Sequence, residues 1–162
     1  MKRLKVCRSK IHGTGILLTE PVKKGKTISY IRGKIRRLKI KNLKDSLSHS
    51  CWIGVGKEVW IDPGYPFRYL NHSCEPTAGV KGKVTLVALK DLKPGEEVTV
   101  DYSLIEGDPA WFMNCQCGNK SCRRVIRSVE FLPPKTFKSY LPYIPSYFKG
   151  VYKKHYPKLK VN

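Results

Sequence analysis

Acidic residues are scarce in this chain, and long apolar runs are missing. Of its 162 residues, 12 are Asp or Glu against 32 Lys or Arg, a formal net charge of +20. No apolar run approaches the roughly 18 residues needed to cross a bilayer, which excludes a transmembrane helix. No signal peptide is visible at the charged N-terminus, so the expectation is an intracellular protein without a membrane partner. Strand–helix–strand alternation is also missing, which excludes a doubly wound parallel sheet. A chain of this length is one domain, large enough to form a core without disulfide staples.

What charge there is lies unevenly. Residues 32–44 carry seven basic residues and no acid, and residues 123–162 carry ten against Glu130 alone. Five of the twelve acids fall between Glu96 and Asp108. So basic a surface predicts non-specific, salt-dependent binding of polyanions such as nucleic acid; the plainer reading is that the lysines only solubilise. The acidic island has a local use, because it attracts a cationic lysine to an otherwise repulsive protein.

The local signals are short strands and many turns. Strands are expected at 5–8, 15–19, 27–32, 52–55, 58–61, 84–88 and 98–101, each rich in Val, Ile, Thr or aromatics and bounded by Gly, Pro or Lys-Gly. Val55-Gly56-Lys57-Glu58 reads as a hairpin turn and Pro94-Gly95 as a turn before the last strand. The fold class is therefore mostly β with short helices. Ile35, Leu38, Leu43 and Leu47 space a short amphipathic helix with a basic face within residues 33–50. In the tail, Phe137, Tyr140, Tyr143, Tyr147, Phe148, Tyr152 and Tyr156 suggest helical turns that Pro142 and Pro145 interrupt. Packing against the domain is the preferred reading of these rings; stacking on nucleic-acid bases has no specific motif here.

Four of the six cysteines form one zinc-ligand pattern. Cys115, Cys117 and Cys122 make a C-x-C-x4-C knuckle, and Cys74 lies about forty residues upstream. Three thiolates do not complete a closed tetrahedral site, so a distant ligand is required, and Cys74 is best placed. Three disulfides are the alternative, but the C-x-C spacing and a reducing compartment favour metal. Cys7 and Cys51 remain over and read as small buried hydrophobes.

Arg68-Tyr69-Leu70-Asn71-His72-Ser73-Cys74-Glu75-Pro76, then Gly95-Glu96-Glu97-Val98-Thr99-Val100-Asp101-Tyr102, then the knuckle, follow one another in a recognisable order. With Lys10-Ile11-His12-Gly13-Thr14-Gly15-Ile16 upstream, this series resembles the SET-domain protein lysine methyltransferases with a post-SET zinc knuckle. The resemblance runs from about residue 5 to about residue 126. It implies a SET domain over 5–114 with a basic substrate-groove insert at 33–50, a post-SET zinc knuckle over 115–126, and a basic aromatic C-terminal extension over 127–162. It also implies small β-sheets around a pseudoknot in which the Asn-His-Ser-Cys and Asp-Tyr segments pass one another.

The same resemblance implies S-adenosylmethionine as cofactor, one structural Zn2+, and a protein substrate presenting a lysine, plausibly a chromatin or other nucleic-acid-associated protein. Tyr102 takes the central catalytic place, its hydroxyl beside the methyl and the lysine nitrogen, either as base or as orienting group. Tyr30, in Ser29-Tyr30-Ile31-Arg32-Gly33, is the second catalytic candidate. Cofactor contacts fall to His12, Gly13, Thr14, Gly15, Trp52, Asn71, His72, Val125 and Ile126. The lysine channel falls to Val100, Trp111 and Phe112, and the metal to Cys74, Cys115, Cys117 and Cys122.

The chain departs from the family pattern at Ser29, where Glu is usual, at Thr77, where Asn is usual, and at Val100, where Phe or Tyr helps set how many methyls are added. Two classes of function follow. One is a protein-lysine N-methyltransferase; the other is a catalytically silent SET scaffold that holds nucleic acid or a protein partner.

Overall fold

The computed structural model describes residues 3–39, 48 and 51–158. In chain order the first strands are β1 (Leu4–Arg8), β2 (Thr14–Leu18), β3 (Thr27–Tyr30), β4 (Gly33–Arg37), β5 (Ile53–Gly56) and β6 (Val59–Pro63). They are followed by β7 (Asn71–His72), β8 (Ala78–Lys81), β9 (Thr85–Ala88), β10 (Thr99–Val100), β11 (Phe112–Asn114) and β12 (Val125–Arg127). Helices α1 (Pro134–Ser139) and α2 (Ser146–His155) close the chain.

β1 and β2 form an antiparallel hairpin with Val6 opposite Ile16. Residues of β2 alternate so that Ile16 and Leu18 enter the core. Its other edge takes the chain before β10: the Leu18 N–H donates to the Glu96 carbonyl at 3.0 Å, and the Val98 N–H to the Ile16 carbonyl at 2.7 Å. Two three-stranded antiparallel sheets, ordered β3-β9-β8 and β4-β6-β5, pack around this centre. Val80, Leu86, Ala88, Val98, Val100 and Leu104 join Ile16 and Leu18 in one buried cluster. The architecture is mostly β with short helices, as the turn-rich sequence predicts.

Residues 33–37 are a correction to the expected amphipathic helix. They form strand β4, in register with β6 from Gly33 opposite Pro63 to Arg37 opposite Val59. All five residues are exposed, so the strand is held by its backbone ladder and not by burial. The free edge of β6 satisfies these amide groups, and that outweighs the weak local preference for helix. Leu38 is at the surface; Leu43 and Leu47 lie outside the described residues.

The aromatic tail packs on the domain. Phe137 and Tyr152 stack with ring centroids 3.6 Å apart, and the Tyr152 hydroxyl donates to the Leu132 carbonyl at 2.9 Å. Phe148 is buried between two glycines: a Cβ at Gly54 would stand 2.7 Å from its ring and one at Gly107 2.9 Å. Only glycine lets the ring approach both backbones at once. Among the described residues, no helix is long and apolar enough to cross a membrane. Replacing Phe148 with Ala is expected to cost about 3–5 kcal/mol by opening a cavity at this contact, read as a lower urea midpoint at unchanged slope.

Candidate active site and metal centre

Two very short strands bring the motifs together. β7 and β10 pair in parallel, Asn71 beside Thr99 and His72 beside Val100, and the Ser73 N–H continues the ladder to the Val100 carbonyl. So short a ladder needs side-chain help. The Thr77 hydroxyl donates to the Glu97 carbonyl at 2.8 Å and accepts the Thr99 N–H at 2.9 Å, so threonine serves well where the family usually has asparagine. Asn71 Nδ2 donates to the His12 and Thr14 carbonyls and to Glu97 Oε1 at 2.8 Å. Ser9 donates to the same Glu97 carboxylate. One amide thus pins the glycine loop at 12–14 onto the crossing, with Gly13 at φ 49 making the turn.

His72 is buried, and desolvation, with the Arg123 charge second, lowers its pKa to about 3. It is therefore neutral, and its 3.6 Å approach to Asp101 is not an ion pair. Nδ1 accepts the Tyr102 N–H at 3.2 Å, which leaves the proton on Nε2, 3.3 Å from Cys74 Sγ. The Tyr102 hydroxyl donates to the Leu70 carbonyl at 2.6 Å. Burial first, then Cys51 and Glu97, pushes this phenol above its ordinary value. A phenol so placed is a hydrogen-bond donor at neutral pH and not a base.

The Sγ atoms of Cys74, Cys115, Cys117 and Cys122 all lie within 4.8 Å of one another, with Cys74 and Cys115 3.7 Å apart. A tetrahedral zinc with bonds of about 2.3 Å separates its sulfurs by about 3.8 Å, so the cluster fits one Zn2+. All six cysteines are unpaired thiols. The surroundings suit thiolate ligands: the Arg123 N–H points at Cys74 Sγ and Asn119 Nδ2 at Cys117 Sγ, each at 3.4 Å. The knuckle is also tied to the crossing directly. Arg123 Nη2 donates to the buried Asp101 carboxylate at 2.6 Å, and Asn119 Nδ2 to Ser73 Oγ at 2.7 Å. Burial pushes the Asp101 carboxyl above its usual range, and the guanidinium opposes that rise.

Two adjoining cavities of about 410 and 310 Å³ open at this crossing, and His12, Asn71, Tyr102 and Met113 line both. Gly13, Thr14, Trp52, Val100 and Trp111 line the larger. His72, Cys115 and Cys117 line the smaller, so the metal cluster forms part of its wall. Volumes of this order suit a bound small molecule.

Other expected site residues lie elsewhere. Tyr30, at the end of β3, is 53% exposed and outside both cavities; the next residue, Ile31, turns inward instead. Phe112 and Val125 are about half exposed, because the β11–β12 register faces Met113 and Ile126 inward. Met113 therefore lines the cavities where Phe112 was expected, a slip of one residue that reverses the face. Ile126 packs with Trp111 and Cys115 in a small cluster below the site. Gly15 lies in β2, where its missing side chain makes room for Glu97 and Ser9. Cys51, expected to be buried, is exposed at the rim of the larger cavity.

Sequence reasoning also missed Ile53, Phe67, Leu70, Ile105 and Glu106 in the wall of the larger cavity. Glu106 is 8% exposed, and its Oε1 accepts the N–H groups of Gly107 and Asp108 at 2.7 and 2.8 Å. Burial raises its pKa to about 7 against the pull of those two donors. Its place four residues after Tyr102, inside the acidic island, was the available signal.

A family model described as SET domain matches residues 13–103. The H3 lysine-4 specific histone-lysine N-methyltransferase of Cryptococcus neoformans is 30% identical over 139 residues, covering 75% of this chain and 10% of that protein. The histone-lysine N-methyltransferase set1 of Dictyostelium discoideum is 30% identical over 142 residues, 77% of this chain and 9% of that protein. The chain thus spans about a tenth of the length of these curated relatives. Among solved structures, KRYPTONITE in complex with mCHH DNA, an H3(1-15) peptide and SAH superposes with a TM-score of 0.58 at 24% identity. That match covers 75% of this chain and 29% of that one, and it supports the fold.

Two outcomes are expected. Elemental analysis should find about one zinc per chain, and Cys74→Ser should lose it; full occupancy in that variant would mean a different fourth ligand. Glu106 carries a folded-state pKa of about 7 against 4.5 unfolded, so its contribution to stability is present below pH 4.5 and lost as pH rises through 7. Glu106→Gln should therefore be more stable than the parent by about 1–3 kcal/mol at pH 8, with the difference vanishing near pH 4.5 in urea titrations.

Proposed function

The chain belongs to the SET-domain family, and from that premise we propose that it is an S-adenosylmethionine-dependent protein-lysine N-methyltransferase. The observation that carries this reading is the meeting of two cavities at Asn71 and Tyr102, with a four-cysteine cluster in the wall behind them. S-adenosylmethionine supplies, when bound, an electrophilic methyl on a sulfonium sulfur. The His12–Thr14 loop, Trp52, Asn71 and His72 are assigned to hold it, since backbone carbonyls, a neutral imidazole and an aromatic face converge there. The cysteine cluster would hold Zn2+ as a structural tie, fixing the knuckle that walls the smaller cavity.

The remaining work falls to the chain itself. A lysine amine attacks only when neutral, and free lysine titrates near 10.4, so a largely buried wall of Val100, Tyr102 and Trp111 favours the reactive form. The Tyr102 hydroxyl, already held as a donor toward Leu70, orients the reacting groups and does not take the proton. Holding both partners in line makes the encounter effectively unimolecular.

The proposed substrate is a lysine on a chromatin or other nucleic-acid-associated protein, a location the histone-modifying relatives favour. Exposed Lys34, Arg36 and Arg37 on the edge strand β4 favour a second role, salt-dependent contact with nucleic acid near that substrate. The same surface would serve a catalytically silent scaffold, and one experiment separates the two. Labelled S-adenosylmethionine is supplied with purified core histones and with a basic-protein extract. Tyr102→Phe should lower lysine labelling by about 100-fold or more with zinc content unchanged. Equal labelling by Tyr102→Phe would remove the role assigned to this tyrosine. No cofactor binding at all would favour the scaffold.

A further inference from the structure

Among the described residues, the larger cavity is lined by one acidic side chain, Glu106, and its use is unassigned by the reading above. No other Asp or Glu among the described residues lines either cavity. The carboxylate is more than nine-tenths buried, yet no Lys, Arg or His among the described residues stands within ion-pair distance of it. Its Oε1 is committed to the Gly107 and Asp108 amides, whereas Oε2 accepts no hydrogen bond from the described residues. A largely buried carboxylate with one fixed oxygen and one oxygen still open to the cavity is poorly solvated unless something completes it.

The backbone around Glu106 is held firmly. The Gly54 N–H donates to the Ile105 carbonyl at 3.2 Å and the Val129 N–H to the Glu106 carbonyl at 2.9 Å. Phe148 from α2 fills the space between Gly54 and Gly107. The C-terminal extension thereby backs the 105–107 turn at the wall of a cavity that Tyr102 and Trp111 also line. A carboxylate and aromatic side chains lining one cavity are the chemistry of an alkylammonium site.

We infer that Glu106 is the substrate-binding carboxylate of this cavity, receiving the ammonium of the incoming lysine on Oε2 and steering it toward Tyr102. The identity of the occupant rests on the methyltransferase reading; the ammonium site does not. The work is thereby divided between Glu106, which recruits the cation, and Tyr102, which orients the reacting groups.

The test uses n-butylammonium chloride as the lysine-head probe and 1-butanol as its neutral counterpart, titrated at pH 8 into the full chain. Tryptophan fluorescence reports binding, because Trp52 and Trp111 line the cavity. The parent should prefer the ammonium over the alcohol by about tenfold or more, the scale of a charge-assisted hydrogen bond. Glu106→Gln keeps an oxygen for both backbone donors and should reduce that preference below about twofold with butanol binding unchanged. Glu106→Asp keeps the charge at shorter reach and should fall between them. No preference in the parent, or an unchanged preference in Glu106→Gln, overturns the inference. Equal losses for ammonium and alcohol in Glu106→Gln also overturn it, since that is a structural effect. A Glu106-dependent preference in a protein that transfers no methyl would uphold the ammonium site and count against the methyltransferase reading.

Discussion

The structure depends on one crossing, where Asn71–Thr77 lies against Glu97–Tyr102. The ladder itself pairs only two residues on each side, and so short a parallel ladder is not stable alone. It is held by groups that each do two things. Glu97 accepts from Ser9 and Asn71, Thr77 both donates and accepts, and Asp101 caps Ser103 while pairing with Arg123. Removing one of these leaves another buried group without a partner, which is dearer than the lost bond. The cavities exist because this crossing leaves His72 and Tyr102 side by side, rings 5.3 Å apart, at its floor.

The knuckle and the C-terminal extension both support that crossing. Four thiols gathered from residues 74 to 122 draw the knuckle onto the smaller cavity, and Arg123 and Asn119 fasten it there. In the extension, α2 inserts Phe148 against Gly54 and Gly107, beside the turn that carries Glu106. Metal and helix are alternative ways to stiffen a small domain whose sheets have only two or three strands each. Glu106 shows the cost of such a site: its ionised form lowers stability in the same geometry that suits it to a cation.

Much of the site was legible because its chemistry is carried by rare residue types at fixed spacing. Three cysteines in C-x-C-x4-C demand a fourth, and Cys74 completes the cluster. Asn71, His72 and Tyr102 were legible for the same reason, and they do meet. Positions set by strand phase were less legible. Met113 and not Phe112 faces the cavities, since one residue of register decides which side a strand residue takes, and no local signal fixes it. Tyr30 and Ile31 differ in the same way.

Local composition and motif order determined the mostly β class, the four-cysteine cluster, the glycine loop at 12–14 and the place of Tyr102 at the crossing. These follow from preferences acting over a few residues and from the coordination needs of one ion. Tertiary structure alone decided that 33–37 is a strand, because the deciding partner, β6, begins at Val59. It also decided that Glu106 is buried with no basic partner among the described residues, in a turn flanked by Phe148 and Gly54, which are distant in the chain. Burial and pairing are properties of what surrounds a residue, and those surroundings form only when the crossing closes.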